Sequence, residues 1–119
     1  KHLSMYIIAL SQYLIYLKSQ INSTKAEVVR NKRNLDNGVN QLITKEVIKE
    51  YKTKSDAYNH IVQNNKSLGE LNEQIETLKD ELILVEGVDR SVSELIAAFK
   101  RELTRRENEL YSTRMERRS

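Results

Sequence analysis

The side chains of this sequence with the clearest capacity for chemistry are basic groups that recur in clusters. There are three clusters: Arg30, Lys32 and Arg33; Lys45, Lys49, Lys52, Lys54 and Lys66; and Arg101, Arg105, Arg106, Arg114, Arg117 and Arg118. Clustered ammonium and guanidinium groups attract phosphate, either on an anionic membrane or along a nucleic acid. Glutamates lie between the basic residues and exposed stacking aromatics are not expected there, which argues against nucleic acid. The alternative is a solvated helix face that binds no ligand.

The residues that usually perform catalysis or hold metal are sparse. His2 and His60 are the only histidines, cysteine is absent, and the three glycines are isolated. A zinc site normally needs three or four converging ligands, and a phosphate-binding loop needs clustered glycines. No nucleophile and base are placed at a suggestive spacing. We therefore expect no enzyme activity, no metal, no cofactor and no small-molecule substrate.

The elements that must position the basic groups are predicted by two heptad series in different registers. The first series is Ile7, Leu14, Ile21, Val28, Leu35 and Leu42, with Leu3, Leu10 and Leu17 as partner positions. The second is Ile61, Leu68, Ile75, Leu82, Ile96, Leu103 and Leu110, interrupted at Asp89, with Leu71, Leu78, Val85, Val92 and Phe99 as partner positions. An apolar repeat of this period keeps one stripe of a helix against a neighbouring helix. The sequence therefore predicts an all-α fold, a long antiparallel helical hairpin or coiled coil within a dimeric bundle.

The predicted organisation is one helical region over residues 1–119, taken as a fragment of a larger protein. Proline is absent, which favours long uninterrupted helices. We expect a helix from about 4 to 63, a turn at about 64–68, and a helix from about 68 to 116, with Ser67 as the capping residue. Asp36-Asn37-Gly38 is interpreted as a bend within the first helix, with a true turn as the alternative. The apolar stretch 5–17 is too short to cross a membrane, and no signal-peptide cleavage site follows it.

Charge is distributed unevenly along the chain. Residues 1–66 carry 11 basic and 5 acidic side chains, whereas residues 67–99 carry 2 basic and 8 acidic ones. This asymmetry favours antiparallel pairing of the two predicted helices, although exposed ion pairs add little stability. The expected dimer or partner interface lies at the apolar ends of both series, at Ile7, Leu10, Leu14, Leu17, Ile21, Phe99 and Leu103. The partner can be a second copy or a different chain.

Two segments carry a resemblance to a known family. The first is Val88–Ile96 with the following Phe99–Glu107, and the second is Leu10-Ser11-Gln12-Tyr13 with Leu17-Lys18. They resemble the last two helices of the BAR domain in sorting nexins that join a PX domain to a BAR domain. The usual aromatic residue after the basic-Glu segment is absent here.

The resemblance implies an antiparallel dimer with a curved body that binds bent, anionic membrane. Its membrane-binding residues would be Lys45, Lys49, Lys52, Lys54 and Lys66, near the tip of the arm. The implied function is non-enzymatic dimerisation and curvature binding in endosomal trafficking. The implied location is the cytoplasm and, peripherally, the endosomal membrane.

A second interpretation uses the same heptads without a membrane. In it the chain is a coiled-coil scaffold or tether subunit of a larger kinetochore, cytoskeletal or vesicle-tethering complex. Polar seam residues such as Thr24, Asn31 and Asn64 fit both interpretations, because they fix register and partner at some cost in stability. A hairpin like the dynein stalk is a more distant third. Binding to anionic vesicles would favour the first interpretation, and a requirement for another protein chain would favour the second.

Overall fold

The computed structural model describes residues 2–118, and the side chains of residues 2–117. This part of the chain contains helices and no strand. The helices are α1 (His2–Leu42), α2 (Lys45–Glu50), α3 (Lys54–Asn64) and α4 (Lys66–Arg118). The predicted fold class, an all-α antiparallel helical hairpin, is confirmed.

The helix α1 runs without a break through Asp36-Asn37-Gly38. No glycine in the described residues has a positive φ, so Gly38 does not serve a turn. It serves a close approach instead, because a Cβ at Gly38 would lie 2.6 Å from Cδ2 of Leu68 on α4. The interpretation that Asp36-Asn37-Gly38 lies within one helix is therefore confirmed. The alternative of a true turn is wrong.

The prediction of one helix from about 4 to 63 is wrong, because the chain forms three helices there. The helix α1 ends at Leu42, and two threonines restart the chain in new helices. Thr44 and Thr53 have extended backbones, and their hydroxyls accept hydrogen bonds from the backbone N–H of Val47 and Asp56. Such N-caps satisfy donors that a helix start would otherwise leave unpaired. Short helices therefore replace the end of the predicted long one.

The predicted turn at about 64–68 is much shorter in the structure. Only Asn65 lies outside a helix, with φ −112° and ψ 116°. Its side-chain oxygen accepts a hydrogen bond from the N–H of Leu68 at 3.1 Å. Asn65 therefore caps α4, which begins at Lys66 rather than at residue 68, and the predicted cap at Ser67 is wrong.

The chain divides into two compact units. Unit 1 contains the residues up to Ile21 and those from Leu84 onward, and unit 2 is Asn22–Ile83. Unit 1 is built from the first part of α1 and the last part of α4. Unit 2 contains the end of α1, the whole of α2 and α3, and the start of α4.

In unit 1, two contacts show that α1 and α4 run antiparallel. The ring of Tyr6 lies 6.3 Å from that of Phe99, and the ammonium group of Lys18 lies 3.5 Å from a carboxylate oxygen of Asp89. Asp89 occupies the seam position where the second heptad series is interrupted, and one of its oxygens is buried without a hydrogen bond. A lone charged pair in an apolar seam costs stability but favours one register.

Unit 2 has a core made by three helices. The core joins Leu35 and Val39 of α1, Ile61 and Val62 of α3, and Ile75 of α4. Val47 of α2 and several half-buried side chains pack against this core. At its edge, the hydroxyl of Tyr58 donates a hydrogen bond to Asp36 at 2.7 Å. Burial and this carboxylate raise the pKa of Tyr58 to about 12. Unit 2 therefore has a buried apolar core within a single chain, while Val29, Leu42, Ile48 and Ile83 stay exposed outside it.

Candidate functional site

The five lysines predicted to bind membrane are all exposed and all belong to unit 2. Lys45 and Lys49 lie on α2, Lys52 follows α2, and Lys54 begins α3. Lys66 begins α4. The helix breaks missed by sequence reasoning thus fall inside the lysine cluster. These lysines lie on short helices and helix starts, and not along the side of one long helix.

The short helix α2 is anchored to unit 2 at several points. The cap at Thr44 fixes its start, Val47 packs against the core, and α2 also contacts α3. The ring of Tyr51, just after α2, lies 4.8 Å from the ring of His60 on α3. Desolvation and the neighbouring Glu50 raise the pKa of Tyr51. These contacts hold the backbone that carries Lys45, Lys49 and Lys52, while Ile48 beside them remains exposed.

Acidic residues limit the positive charge of this surface. Glu46 and Glu50 lie on α2, and Asp56 lies in the first turn of α3. We call the exposed residues Lys45, Ile48, Lys49, Lys52 and Lys54 the lysine surface. Its four positive charges lie among these three carboxylates, and Ile48 adds one exposed aliphatic side chain.

The other two basic clusters differ from the lysine surface. Arg30 and Arg33 line a shallow groove on α1 together with Val29, Lys25 and Ala26. On α4, Arg105 binds both Glu102 and Glu109, and Arg106 binds Glu102. The hydrogen bonds from Arg105 and then Arg106 lower the pKa of Glu102 to about 2. Glutamates on the same helix therefore already pair with these two arginines.

His60, one of the two histidines considered as a metal ligand, lies exposed on α3. His60 contacts the side-chain amide of Asn64, which is also bonded to the His60 backbone carbonyl. Within the described residues, no three His, Cys, Asp or Glu side chains are grouped to hold a metal ion. His60 is thus placed as a polar surface residue.

The seven residues predicted as a dimer or partner interface lie within unit 1 and face its seam. Leu17 and Ile21 are buried at 5% and 9% exposure in the single chain, and the other five are half-buried. Packing between α1 and α4 therefore already covers much of their apolar surface. The partner interface at these residues stays a prediction, and the seam leaves a partner less apolar area than a lone helix would.

Unit 1 also has an exposed apolar surface outside its seam, and the part on α1 is the tyrosine-rich stretch that the sequence favours as an interface with another subunit. On α1, its large exposed members are Met5, Tyr6, Tyr13 and Tyr16. On α4, it is a groove lined by Leu84, Gly87, Val88, Ser91, Val92 and Leu95. We call these two sets the tyrosine row and the α4 groove. A signal was present in the sequence, because residues 3–17 contain no charged side chain.

No described helix combines the length and apolarity that crossing a bilayer requires. In comparisons with known proteins, no protein-family model, no curated protein and no solved structure matches this chain. The residues themselves therefore carry the functional argument.

Proposed function

We propose that this chain is a non-enzymatic helical module that assembles through its helices and binds anionic membrane through the lysine surface. The observation that carries the proposal is the grouping of four exposed lysines around the anchored helix α2. Each lysine near an anionic bilayer contributes about 1 kcal/mol at low salt. Four such contributions, reduced by the neighbouring Glu46, Glu50 and Asp56, support weak and reversible binding at a surface, and Ile48 adds an aliphatic contact.

The resemblance to BAR domains of sorting nexins adds a specific form of this proposal. In it, two copies present their lysine surfaces to one bent membrane in endosomal trafficking. Lys66, at the start of α4, would join the same contact. The curved form makes a further expectation, which is tighter binding to small vesicles than to large ones of the same lipid composition.

The test is cosedimentation with vesicles that contain phosphatidylserine. The chain should bind at low salt and be released as salt rises, because exposed charges are screened over about 10 Å at 0.1 M. Replacing Lys45, Lys49, Lys52 and Lys54 with glutamine should weaken binding by at least about tenfold. A matched control replaces Lys100, Arg101, Arg114 and Arg117 with glutamine, which removes the same charge from α4. Equal loss in both variants would contradict a site at the lysine surface.

A second candidate function is that of a coiled-coil scaffold or tether that needs no membrane. The observation that favours it is the tyrosine row, an apolar surface on a charge-free stretch of α1. In this case the chain should not bind anionic vesicles at low salt and should form a stable complex with another helical protein. Vesicle binding that disappears with the four lysines would decide for the first function.

A further inference from the structure

We infer that the tyrosine row and the α4 groove of unit 1 together bind a second copy of this chain, with the tyrosines of each copy seated in the groove of the other. This inference deepens the proposed function, which rests on assembly through helices, by naming the surface and its occupant. The surface differs from the seam residues that the heptads alone suggest.

The two parts of the surface lie on the same side of unit 1. In the heptad of α1, Tyr6 and Tyr13 directly precede seam residues Ile7 and Leu14, and on α4 Val88 and Leu95 directly precede Asp89 and Ile96. Flanking positions of this kind lie on the same side of an antiparallel pair, because a twofold axis between the helices relates them. Tyr16 and Leu84 each lie one step further from the seam on that side.

The two parts also lie at the same level along the helices. Tyr6 is level with Phe99, and Lys18 is level with Asp89. Tyr13 and Tyr16 fall between these two contacts, so they are level with the segment of α4 around Arg90 and Ser93. The α4 groove extends from Leu84 to Leu95. The tyrosine row therefore lies beside the α4 groove, at the same level along the helices.

The shapes of the two parts are complementary. The rings of Tyr13 and Tyr16 stack on each other with centroids 6.3 Å apart, which makes one broad projection. The groove contains Gly87 and Ser91, and a Cβ at Gly87 would meet no atom within 4 Å. Leu84 and Val88 at its edge are exposed. Small residues between larger apolar ones let another helix approach closely.

A second copy covers both parts of this surface at once, whereas a single partner helix does not. A twofold axis parallel to the helices, between two facing copies, lays α1 of one copy over α4 of the other, antiparallel and at the same level. Each tyrosine pair then meets a groove, and both contacts form at once, as in an isologous interface. A partner rich in charge fits poorly, because the tyrosine row has no charged residue to pair with it.

The size of the surface is sufficient for a dimer of modest affinity. The segment 84–98 is roughly 21 Å long at 1.5 Å per residue, and two helices side by side are roughly 20 Å wide. This patch of about 400 Å² in projection is as large as most monomers leave exposed. A specific contact usually buries about 800 Å² per copy, so a patch of this size predicts a weak, reversible dimer.

The test is sedimentation equilibrium of the wild-type chain and two neighbouring variants. Leu84→Glu places a charge in the groove, whereas Ile83→Glu places the same charge about 100° around the helix. The side chains of Leu84 and Ile83 have nearly equal exposure, 71% and 69%. The wild type and Ile83→Glu should dimerise alike, and Leu84→Glu should raise the dimer dissociation constant by at least about 100-fold.

A second variant separates loss of docking from loss of folding. A Cβ at Gly87 has no atom within 4 Å in the single chain. Gly87→Gln should therefore raise helicity while its side chain fills the groove and raises the dissociation constant by at least about tenfold. A monomeric wild type, or equal dimerisation in all variants, would overturn the inference. Dimerisation lost with Ile83→Glu but kept with Leu84→Glu would also overturn it. Vesicle binding of the monomeric variants reports separately on the lysine surface, so failure of one proposal is distinguishable from failure of the other.

Discussion

The two units of this chain differ in how far they bury the apolar side chains of their helices. Unit 2 places α3 against α1 and α4, so that Val39 has no exposed surface and Ile75 retains only 3%. Unit 1 has only two helices, and large side chains such as Met5, Tyr16 and Leu84 stay exposed. The difference shows that a third helix completes the core of unit 2, whereas unit 1 leaves an apolar face exposed, which we propose a second copy covers.

The largest expected effect follows from truncating the core of unit 2. Ile75→Ala should lower the free energy of unfolding by about 2–5 kcal/mol, because it leaves a cavity among Leu35, Val39 and Ile61. Urea denaturation followed by circular dichroism measures this change. The matched control is Ile83→Ala, also on α4 but 69% exposed, which should change stability by less than about 0.5 kcal/mol. Similar losses in both variants would show that unit 2 has no specific core.

The next effect concerns the hydrogen bond that ties α3 to α1. Tyr58→Phe removes the hydroxyl that donates to Asp36, and stability at neutral pH should fall by about 1–2 kcal/mol. The pH dependence gives a second readout. Folding raises the pKa of Tyr58 from 10.0 to about 12, so its contribution is present below pH 10 and is lost as pH rises toward about 12.

Denaturation of wild type and Tyr58→Phe across this range of pH checks the sign. The two proteins should differ most below pH 10 and converge toward about pH 12. A constant difference between them at all pH values would mean that the hydroxyl does not interact with Asp36 in the folded chain.

A smaller effect is expected at the caps that define the short helices. Thr53→Ala removes the acceptor for the N–H of Asp56 and should cost about 1 kcal/mol. Thr53→Ser retains the acceptor and should lose much less. Chemical denaturation resolves the two variants. If alanine and serine behave alike, the cap does not hold the start of α3.

The smallest effect compares two glycines in the two units. Alanine at an exposed helical glycine typically adds up to about 1 kcal/mol, and the space at Gly87 in unit 1 is open. At Gly38 in unit 2 the added Cβ would displace the side chain of Leu68. In thermal denaturation at a concentration where the chain is monomeric, Gly87→Ala should therefore stabilise the chain more than Gly38→Ala. The reverse order would contradict the close approach of α1 and α4 at Gly38.

The heptads predict the helical class, the antiparallel pairing and the continuous helix across Asp36-Asn37-Gly38, because an apolar repeat reports directly on helix packing. They do not predict the breaks near Thr44 and Thr53, since the apolar pattern continues weakly through that region. The signal there is local. Thr53-Lys54-Ser55-Asp56 has the form of a helix start. At the start of α4, the capping residue is Asn65, two residues before the predicted Ser67.

The exposed surfaces are only partly readable from the sequence. The lysines are visible as a cluster, but their place around α2 depends on the helix breaks. The charge-free run 3–17 and its tyrosines indicate an apolar contact with another subunit, but the heptads alone do not separate that contact from the seam. Separating Tyr13 and Tyr16 from seam residues such as Leu14 and Leu17 requires the register of α1 against α4. That register is set by long-range contacts such as Lys18 with Asp89.

The central claim is that unit 2 is complete within one chain and unit 1 is completed by a second copy. Hydrogen exchange measured at high and low protein concentration tests it most directly, because dimerisation stabilises only the region that binds. We predict that protection in residues 5–16 and 84–98 falls on dilution while protection in residues 57–62 and around Ile75 stays the same. Protection that is independent of concentration in both units, or that falls equally in both, would contradict the account.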